Sequence, residues 1–547
     1  MLYDMAASSP PAMALARTIA LPAMAMAPGF MPDNTERYAH AEQNPVRLAS
    51  RDPVSTFSLD VDTASYANVR RFLRHGELPP EDAVRVEELV NYFPYDYPAT
   101  AGPHPFGIGT EVARAPWNPA HLLLRIGVKA QEPHRGRAGA TDAGITADVQ
   151  STALPPANLV FLVDVSGSMD EPDKLPLVQA SLRMLVKQLR PEDRVSLVVY
   201  AGRTAVELPA TPGNRHHEIL AAIQRLTAEG STNGSAALEL AYEQARAGFI
   251  PGGINRILMA TDGDFNVGVT DQAALEARIR RERDSGVSLS LLGFGTGNLN
   301  DALMEQLADQ GNGNYSYVDS VDEARKVLVN ELAATLHTVA KDVKVQVEFN
   351  PARVAEYRLI GYENRVLREE DFRNDRVDAG EVGAGHSVTA LYEVTPVGAA
   401  TLHGEHRYAP ATTPAPSGLH ADELAEVRVR YQPVASSPNA SPAAVEFAQA
   451  VVVPTGSTGG AIGNGSDDLR FAAAVAGFGE LLRGGRYQGH WAQADVLRLA
   501  RGALGRDAGG WRAEFVRLVQ VADSLDHRRP DTGASGEAID DTANGAE

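Results

Sequence analysis

The most chemically suggestive part of the sequence is a short polar turn that directly follows an apolar run. The run LVFLV at 159–163 is followed by Asp164, Ser166 and Ser168 in the pattern D-x-S-x-S. An apolar run of this length predicts a strand buried on both faces. The carboxylate and the two hydroxyls after it are within reach of one point above the strand end, and hard cations prefer such oxygen ligands.

Two further turns place polar residues at comparable points in the chain. The first is GSTNG at 230–234, in which Thr232 offers a hydroxyl just before a predicted helix. The second is TDGD at 261–264, in which Asp262 and Asp264 follow an apolar strand. Because open α/β sheets bind ligands at the carboxyl ends of their strands, we expect the three turns to form one site.

The charge of this predicted site favours a metal ion. Asp164, Asp170, Asp262 and Asp264 would crowd one rim, and such carboxylates raise one another's pKa unless a cation neutralises them. Oxygen ligands with few carboxylates fit Mg²⁺, with Mn²⁺ or Ca²⁺ as alternatives. An ion held mainly by neutral hydroxyls stays electrophilic and can accept a carboxylate from a partner.

A simpler interpretation of the first turn is that Ser168 or Asp170 only caps the following helix, because Asp and Ser are common cap residues. Two positions of Asp264 are equally compatible with the sequence. In one it contacts the metal ligands without binding the ion, and in the other it lies in a solvated loop. These alternatives stay open on the sequence alone.

The elements that must position these turns alternate between short strands and longer helices from 158 to 336. The helix 175–189 carries its apolar residues on one stripe, as a helix packed on a sheet requires. Alternation with crossovers of this length predicts a mainly parallel sheet covered by helices on both faces. The predicted strands are 159–164, 194–200, 256–261, 287–293 and 314–318, and the predicted helices are 175–189, 218–226, 235–247, 272–283, 301–308 and 321–336.

The three turns together resemble the metal-ion-dependent adhesion site of von Willebrand factor type A (VWA) domains. Some site aspartates of that family reach the ion through water, so the resemblance implies membership of the site rather than direct ligation. Residues 57–66 and 357–365 also resemble bacterial A-domain proteins with an N-terminal flanking domain and an uncharacterised C-terminal domain. Carried over by position, the site residues that the resemblance implies are Asp164, Ser166, Ser168, Thr232 and Asp262.

Patterns with period two lie on both sides of the α/β region, at 122–128 and at 343–349, 388–394 and 427–431. The fold prediction is therefore α/β: a doubly wound, Rossmann-like parallel-sheet domain clasped by a discontinuous antiparallel β-sandwich, plus a C-terminal helical region. The predicted divisions are a disordered leader at 1–45, an N-terminal flanking domain with the first sandwich strands at 46–130, a linker at 131–157, the VWA domain at 158–336, the β-sandwich at 337–445, a linker at 446–466, the helical region at 467–526 and an acidic disordered tail at 527–547.

The composition excludes several functional classes. The net charge of −20 disfavours nucleic acid and anionic membrane surfaces as partners. The absence of cysteine excludes disulfides, thiolate zinc sites and cysteine nucleophiles. No stretch is long and apolar enough to span a bilayer, and 13–32 is interrupted by proline and favours a disordered leader over a secretory signal. Resemblance to envelope-associated relatives favours the cell envelope over the cytoplasm without fixing the compartment.

These observations predict a non-enzymatic protein whose metal ion binds an Asp or Glu carboxylate of a partner protein. One alternative is a phosphatase, because FSLDVDT at 57–63 imitates the D-x-D-x-T loop of haloacid-dehalogenase-type phosphatases, with Asp60 as nucleophile and Asp62 as proton donor. The structural interpretation of the same residues is that Asp62 and Thr63 cap the next helix. A further alternative is an assembly subunit that works beside a chaperone-like ATPase.

Overall fold

A six-stranded sheet forms the centre of the α/β domain. The computed structural model describes residues 35–59, 62–98, 103–131, 154–230, 234–263, 272–404, 420–434, 443–453 and 459–526. Neighbouring strands of the sheet are parallel except for the last pair, which is an antiparallel hairpin. Across the sheet the strands are Tyr315–Tyr317, Ser288–Gly293, Ile254–Thr261, Ala157–Asp164, Arg194–Tyr200 and Thr204–Pro212.

Helices cover both faces of this sheet. On the central strand, Phe161 packs in one core and Val160 and Leu162 pack in the other, as expected for a strand buried on both sides. The order of strands reverses at Ala157–Asp164, and open α/β sheets bind ligands at the carboxyl end of the strand where this reversal occurs. The helices are Leu175–Val186, His216–Gln224, Gly234–Ala247, Gln272–Asp284, Asp301–Gln310 and Val321–Arg325, followed by a π-helical turn at Lys326–Asn330 and a short helix at Leu332–Leu336.

Two antiparallel sheets pack face to face and form the β-sandwich. Their strands come from both sides of the α/β domain in sequence, so the sandwich is discontinuous. One sheet contains Arg47–Leu48, Val354–Ile360, Ser387–Pro396, Leu122–Ala130 and Phe106–Arg114. The other contains Val366–Leu367, Val54–Ser58, Thr338–Phe349, Glu423–Pro433 and Val445–Val452, with Gly380–Gly383 paired to Thr338–Phe349.

The helices of the two chain ends form one core. The N-terminal helices Ala64–Arg74 and Val86–Asn91 pack against the C-terminal helices Asp467–Leu482, Gln493–Arg501 and Trp511–Asp526. Aromatic rings at the centre meet edge to face, as in the pair Phe93 and Phe471 at 4.9 Å between ring centroids. The predicted doubly wound domain, clasping sandwich and C-terminal helical region are therefore confirmed, and the helical region includes N-terminal helices as well.

Two of the predicted divisions need correction. Residues 35–45, assigned to a disordered leader, begin with a strap bound to the α/β domain: the backbone N–H groups of Thr35 and Arg37 donate to Gly297 O and Leu299 O, each at 2.9 Å. The strand Val445–Val452 occupies the start of the predicted linker 446–466, where it pairs with Glu423–Pro433. As the exposed edge of its sheet it lacks an apolar face strong enough to be recognised.

The hairpin strand Thr204–Pro212 was not predicted from the sequence. It contains two prolines, the exposed Pro209 and the half-exposed Pro212, which is typical of an edge strand and weakens the strand pattern. The remainder of the predicted leader, most of the linker at 132–153 and the tail 527–547 lie outside the described residues. Within the described residues, no helix has the length and apolar character needed to cross a membrane.

Candidate functional site

The D-x-S-x-S turn lies at the carboxyl end of the central strand. Asp164 is fully buried there, and its Oδ1 accepts a hydrogen bond from the backbone N–H of Ser166 at 2.9 Å. The hydroxyls of Ser166 and Ser168 are 3.1 Å apart. Oδ2 of Asp164 is buried and accepts no hydrogen bond within the described part of the chain. A buried carboxylate oxygen without a donor is unusual in a folded protein and is compatible with an additional ligand at this position.

The second turn approaches the first through backbone hydrogen bonds. Gly167 donates to the carbonyl of Gly230 at 3.0 Å, and Glu229 donates to the carbonyl of Val165 at 2.7 Å. Gly230 has a φ of +81°, a conformation that favours glycine, and a Cβ there would lie 2.9 Å from the backbone N of Gly202. Thr232 itself lies outside the described residues. The chain therefore enters the GSTNG turn from a point bonded to the D-x-S-x-S turn.

Asp262 follows the neighbouring strand Ile254–Thr261 and is fully buried. The Lys174 Nζ donates to its Oδ2 at 3.0 Å and lies 3.4 Å from Oδ1 of Asn298. Burial tends to raise the pKa of Asp262, but hydrogen bonds from Asn298 and Lys174, together with the Lys174 charge, hold it below its usual value. Asp262 is therefore ionised at neutral pH.

The pKa of Asp164 is shifted in the opposite direction, above its usual value. Burial raises its pKa to about 6, and the negative charge of Asp262 adds to this effect, while hydrogen bonds from Ser166 and from the Tyr200 side chain oppose it. The two carboxylates therefore lie close enough to interact, as the sequence predicts for neighbouring strand ends. Of the other rim aspartates, Asp170 is exposed and Asp264 lies outside the described residues.

The structure does not support the alternative in which the D-x-S-x-S turn only caps the following helix. The helix Leu175–Val186 has Lys174 at its N-cap, and no side chain makes a capping hydrogen bond there. Ser168 and Asp170 lie instead in a short 3₁₀ turn at Gly167–Asp170. The oxygen atoms that could hold a metal ion therefore include those of Asp164, Ser166, Ser168 and Asp262.

Sequence reasoning did not identify Lys174 and Asn298 as part of this site. Lys174 precedes a helix and Asn298 follows a strand, and neither belongs to the motif that marks the turns. Beside Asp262, the loop after Ser288–Gly293 brings Asn298 to Lys174 at the start of the helix Leu175–Val186. The sequence pattern contains no signal for this contact.

The segment 57–63, which resembles the D-x-D-x-T loop of phosphatases, lies away from the candidate metal site. Asp62 is buried, accepts a hydrogen bond from the backbone N–H of Tyr315 at 2.9 Å and lies 3.5 Å from the guanidinium of Arg365. Thr63 occupies the N-cap of the helix Ala64–Arg74, but its side chain makes no capping hydrogen bond. The predicted capping by the Thr63 side chain is therefore wrong, and Asp62 binds the edge strand of the α/β sheet through Tyr315. Asp60 lies outside the described residues.

Comparison with protein families finds three matches along the chain. Residues 158–330 match the von Willebrand factor type A domain, and residues 32–125 match a family described as von Willebrand factor. Residues 334–525 match the C-terminal family described as "Uncharacterized protein YfbK, C-terminal".

Individual relatives agree with these matches. The chain is 48% identical to "Uncharacterized protein YfbK" of Escherichia coli over 518 residues, which is 93% of this chain and 85% of that protein. Inter alpha-trypsin inhibitor heavy chain 4 of Mus musculus is 30% identical over 160 residues, 28% of this chain and 17% of that protein. Among solved structures, a von Willebrand factor type A protein from Catenulispora acidiphila aligns with a TM-score of 0.38 at 12% identity, over 87% of this chain and 91% of that chain.

Proposed function

Because the chain belongs to the YfbK family of bacterial proteins with a von Willebrand factor type A domain, we propose that it is a divalent-metal-dependent binding protein. A VWA domain suggests a role as a protein-interaction or adhesion scaffold, and VWA proteins are typically non-enzymatic. The finer proposal is that a metal ion at the carboxyl end of the central strand accepts an Asp or Glu side chain of a partner protein.

The observation that carries this proposal is the buried Oδ2 of Asp164, which has no hydrogen-bond donor among the described residues. An ionised carboxylate in such a place costs free energy unless a cation or a donor compensates it. The nearby oxygens are two serine hydroxyls and a second carboxylate, which suit Mg²⁺, Mn²⁺ or Ca²⁺ and offer no soft ligand. The residues that would hold the ion are Asp164, Ser166, Ser168, Thr232 and Asp262.

The protein itself supplies the preorganisation of this site. The Ser166 N–H fixes one oxygen of Asp164, which leaves the other oxygen for the ion. Lys174 and Asn298 keep Asp262 ionised and oriented. A bound divalent ion would supply a Lewis acid that can bind a carboxylate, and the exposed Ser168 lies on the side of the site that a partner can reach.

The experiment that tests the proposal is capture of partner proteins by the immobilised chain in Mg²⁺, in EDTA, and in EDTA followed by excess Mg²⁺. We expect specific partners to be lost in EDTA and restored by Mg²⁺. The Asp262→Asn variant keeps nearly the same shape but removes the charge, and we expect it to capture none of them. Partners that are retained equally in EDTA would contradict the proposal, as would phosphatase activity of the wild type that Asp60→Asn abolishes.

The pKa of Asp164 predicts how metal binding depends on pH. In the metal-free protein this carboxyl titrates at about 6 because it is buried, and only its ionised form can hold a cation. Below pH 6 a proton therefore competes with the ion, and we expect the affinity for Mn²⁺ to fall about tenfold per pH unit. Calorimetric titration at pH 7, 6 and 5, with circular dichroism as a check on folding, measures this. An affinity that stays constant over this range would show that Asp164 does not hold the ion.

A further inference from the structure

Lys174 lies within the candidate site although it belongs to none of the three turns that define it. Its side chain is 7% exposed, and its ammonium group forms an ion pair with Asp262 at 3.0 Å. Within the described residues, Asp262 is the carboxylate with which Lys174 forms an ion pair. A nearly buried lysine beside a predicted metal ligand brings a fixed positive charge to a place where a cation is expected to bind.

The fold holds this ammonium group in place from two sides. Asn298 Oδ1 lies 3.4 Å from Nζ and offers a second acceptor. Gly295 packs against the aliphatic part of the side chain so closely that a Cβ at this position would overlap it. Gly295 also has a φ of +76°, which favours glycine. The loop therefore forms a cradle for Lys174, and the ion pair is not a surface contact that solvent can easily replace.

The charges at the site show what Lys174 changes. Asp164 and Asp262 contribute two negative charges, and Lys174 reduces the net charge to minus one before an ion binds. A divalent ion then brings the net charge to plus one, whereas it would be zero without the lysine. Opposite charges attract and like charges repel over these short distances in a partly buried site. The lysine therefore weakens the attraction for a cation and strengthens the attraction for an anion.

We propose that Lys174 is the specificity-determining residue of this site, which lowers its affinity for the divalent ion and raises the affinity of the loaded site for a carboxylate ligand. The inference rests on the proposed function, because it assumes that a metal ion binds at Asp164 and Asp262. It goes further in naming the chemical feature that selects an anionic ligand, which is the ammonium group of Lys174 beside the ion.

Two titrations at constant ionic strength test the proposal, the first with Mn²⁺ alone and the second with acetate added to the Mn²⁺-loaded protein. Calorimetry measures the first, and water proton relaxation measures the loss of metal-bound water on acetate binding. We expect Lys174→Met to bind Mn²⁺ about tenfold more tightly and acetate about tenfold more weakly than the wild type, since one unit charge is removed nearby. A general loss of structure would weaken both, so the opposite signs are diagnostic.

Two further variants separate charge from shape. Lys174→Arg keeps the charge, and we expect both affinities to stay near those of the wild type. Lys174→Gln keeps a hydrogen-bond donor without the charge, and we expect it to behave like Lys174→Met. It also serves as the test if the methionine variant fails to fold by circular dichroism.

The possible failures are distinguishable. A wild-type chain that binds no Mn²⁺ overturns the proposed function and this inference with it. Normal Mn²⁺ binding by the wild type, with Lys174→Gln changing neither affinity or changing both in the same direction, overturns the role of Lys174 alone and leaves the metal site standing.

Discussion

Replacing Asp164 with alanine is expected to lower the affinity for Mn²⁺ at pH 7 by at least about 100-fold, because even residues behind the ligands of a metal site cost 10- to 100-fold when removed. Asp164 is the carboxylate at the end of the central strand, and its Oδ2 has no hydrogen-bond donor within the described residues. Calorimetric titration of the variant with Mn²⁺ measures the effect. Metal-dependent capture of partner proteins should disappear in parallel.

The same substitution should leave the metal-free fold intact. Asp164 is fully buried, and burial raises its pKa to about 6, so its ionised form is a cost to the metal-free protein at neutral pH. The variant loses the hydrogen bonds to Asp164 but also loses this buried charge. We therefore expect its midpoint of thermal unfolding without metal to be equal to or above that of the wild type.

Asp193 provides a matched control at the opposite end of the sheet, where it precedes the neighbouring strand Arg194–Tyr200 and contacts the first residue of the central strand. It is also a buried aspartate, and its carboxylate accepts hydrogen bonds from the N–H of Ala157 at 2.9 Å and from Arg190. Asp193→Ala should destabilise the fold by about 1–3 kcal/mol, because it leaves buried donors without acceptors, and should keep the Mn²⁺ affinity. If Asp164→Ala instead destabilised the protein and kept its metal affinity, Asp164 would be a structural residue like Asp193.

The part of this site that the sequence predicts is the part built from local patterns. An apolar run that ends at Asp164 requires a buried strand, and a second such run ends at Asp262. Parallel pairing of the two strands then brings their polar ends together without further information. The contact of Lys174 with Asp262 joins the connection after one strand to the end of another strand, and no periodicity in the sequence specifies that contact.

In the flanking regions too, the sequence predicts local elements but not the contacts between distant parts of the chain. The helical patterns at 64–74 and 467–526 are recognisable separately, but their shared core depends on which apolar faces meet. The strap at 35–38 has no apolar pattern at all. It is held by charge and backbone contacts: Glu36 pairs with Arg71 at 2.7 Å and accepts the N–H of Gly297 at 2.9 Å. Such partners lie far apart in the chain, so they become visible only when the fold is known.

Arg70 connects three parts of the chain in the interior. It lies on the helix Ala64–Arg74, and its guanidinium binds Asp319, Glu323 at 2.7 Å and Glu514 at 3.3 Å. The first two acids belong to the end of the α/β domain, and Glu514 belongs to the C-terminal helix Trp511–Asp526. The side chains of Arg70, Asp319 and Glu323 are all less than 5% exposed. The arginine therefore compensates several buried negative charges at once.

Replacing Arg70 with alanine is expected to destabilise the protein by about 3–5 kcal/mol, the usual cost of leaving a buried charge without its partner. All three tryptophans pack in or against the shared helical core, so their fluorescence reports the unfolding of that core. Far-UV circular dichroism reports the whole chain. We expect the fluorescence transition to occur at a lower urea concentration in the variant than in the wild type, and the dichroism transition of the whole chain to shift less.

Arg74 provides the matched control, because it lies one turn further on the same helix and pairs with two of the same acids, Asp319 at 3.4 Å and Glu514 at 2.6 Å. Its side chain is 47% exposed, so solvent screens its ion pairs, and Arg70 still pairs with both acids when Arg74 is removed. Arg74→Ala should therefore cost no more than about 1 kcal/mol. Equal effects of the two substitutions would mean that burial is not what makes Arg70 important. A large effect of Arg70→Ala alone would mean that the buried guanidinium of Arg70 contributes more to holding the α/β domain against the helical core than the exposed guanidinium of Arg74 does.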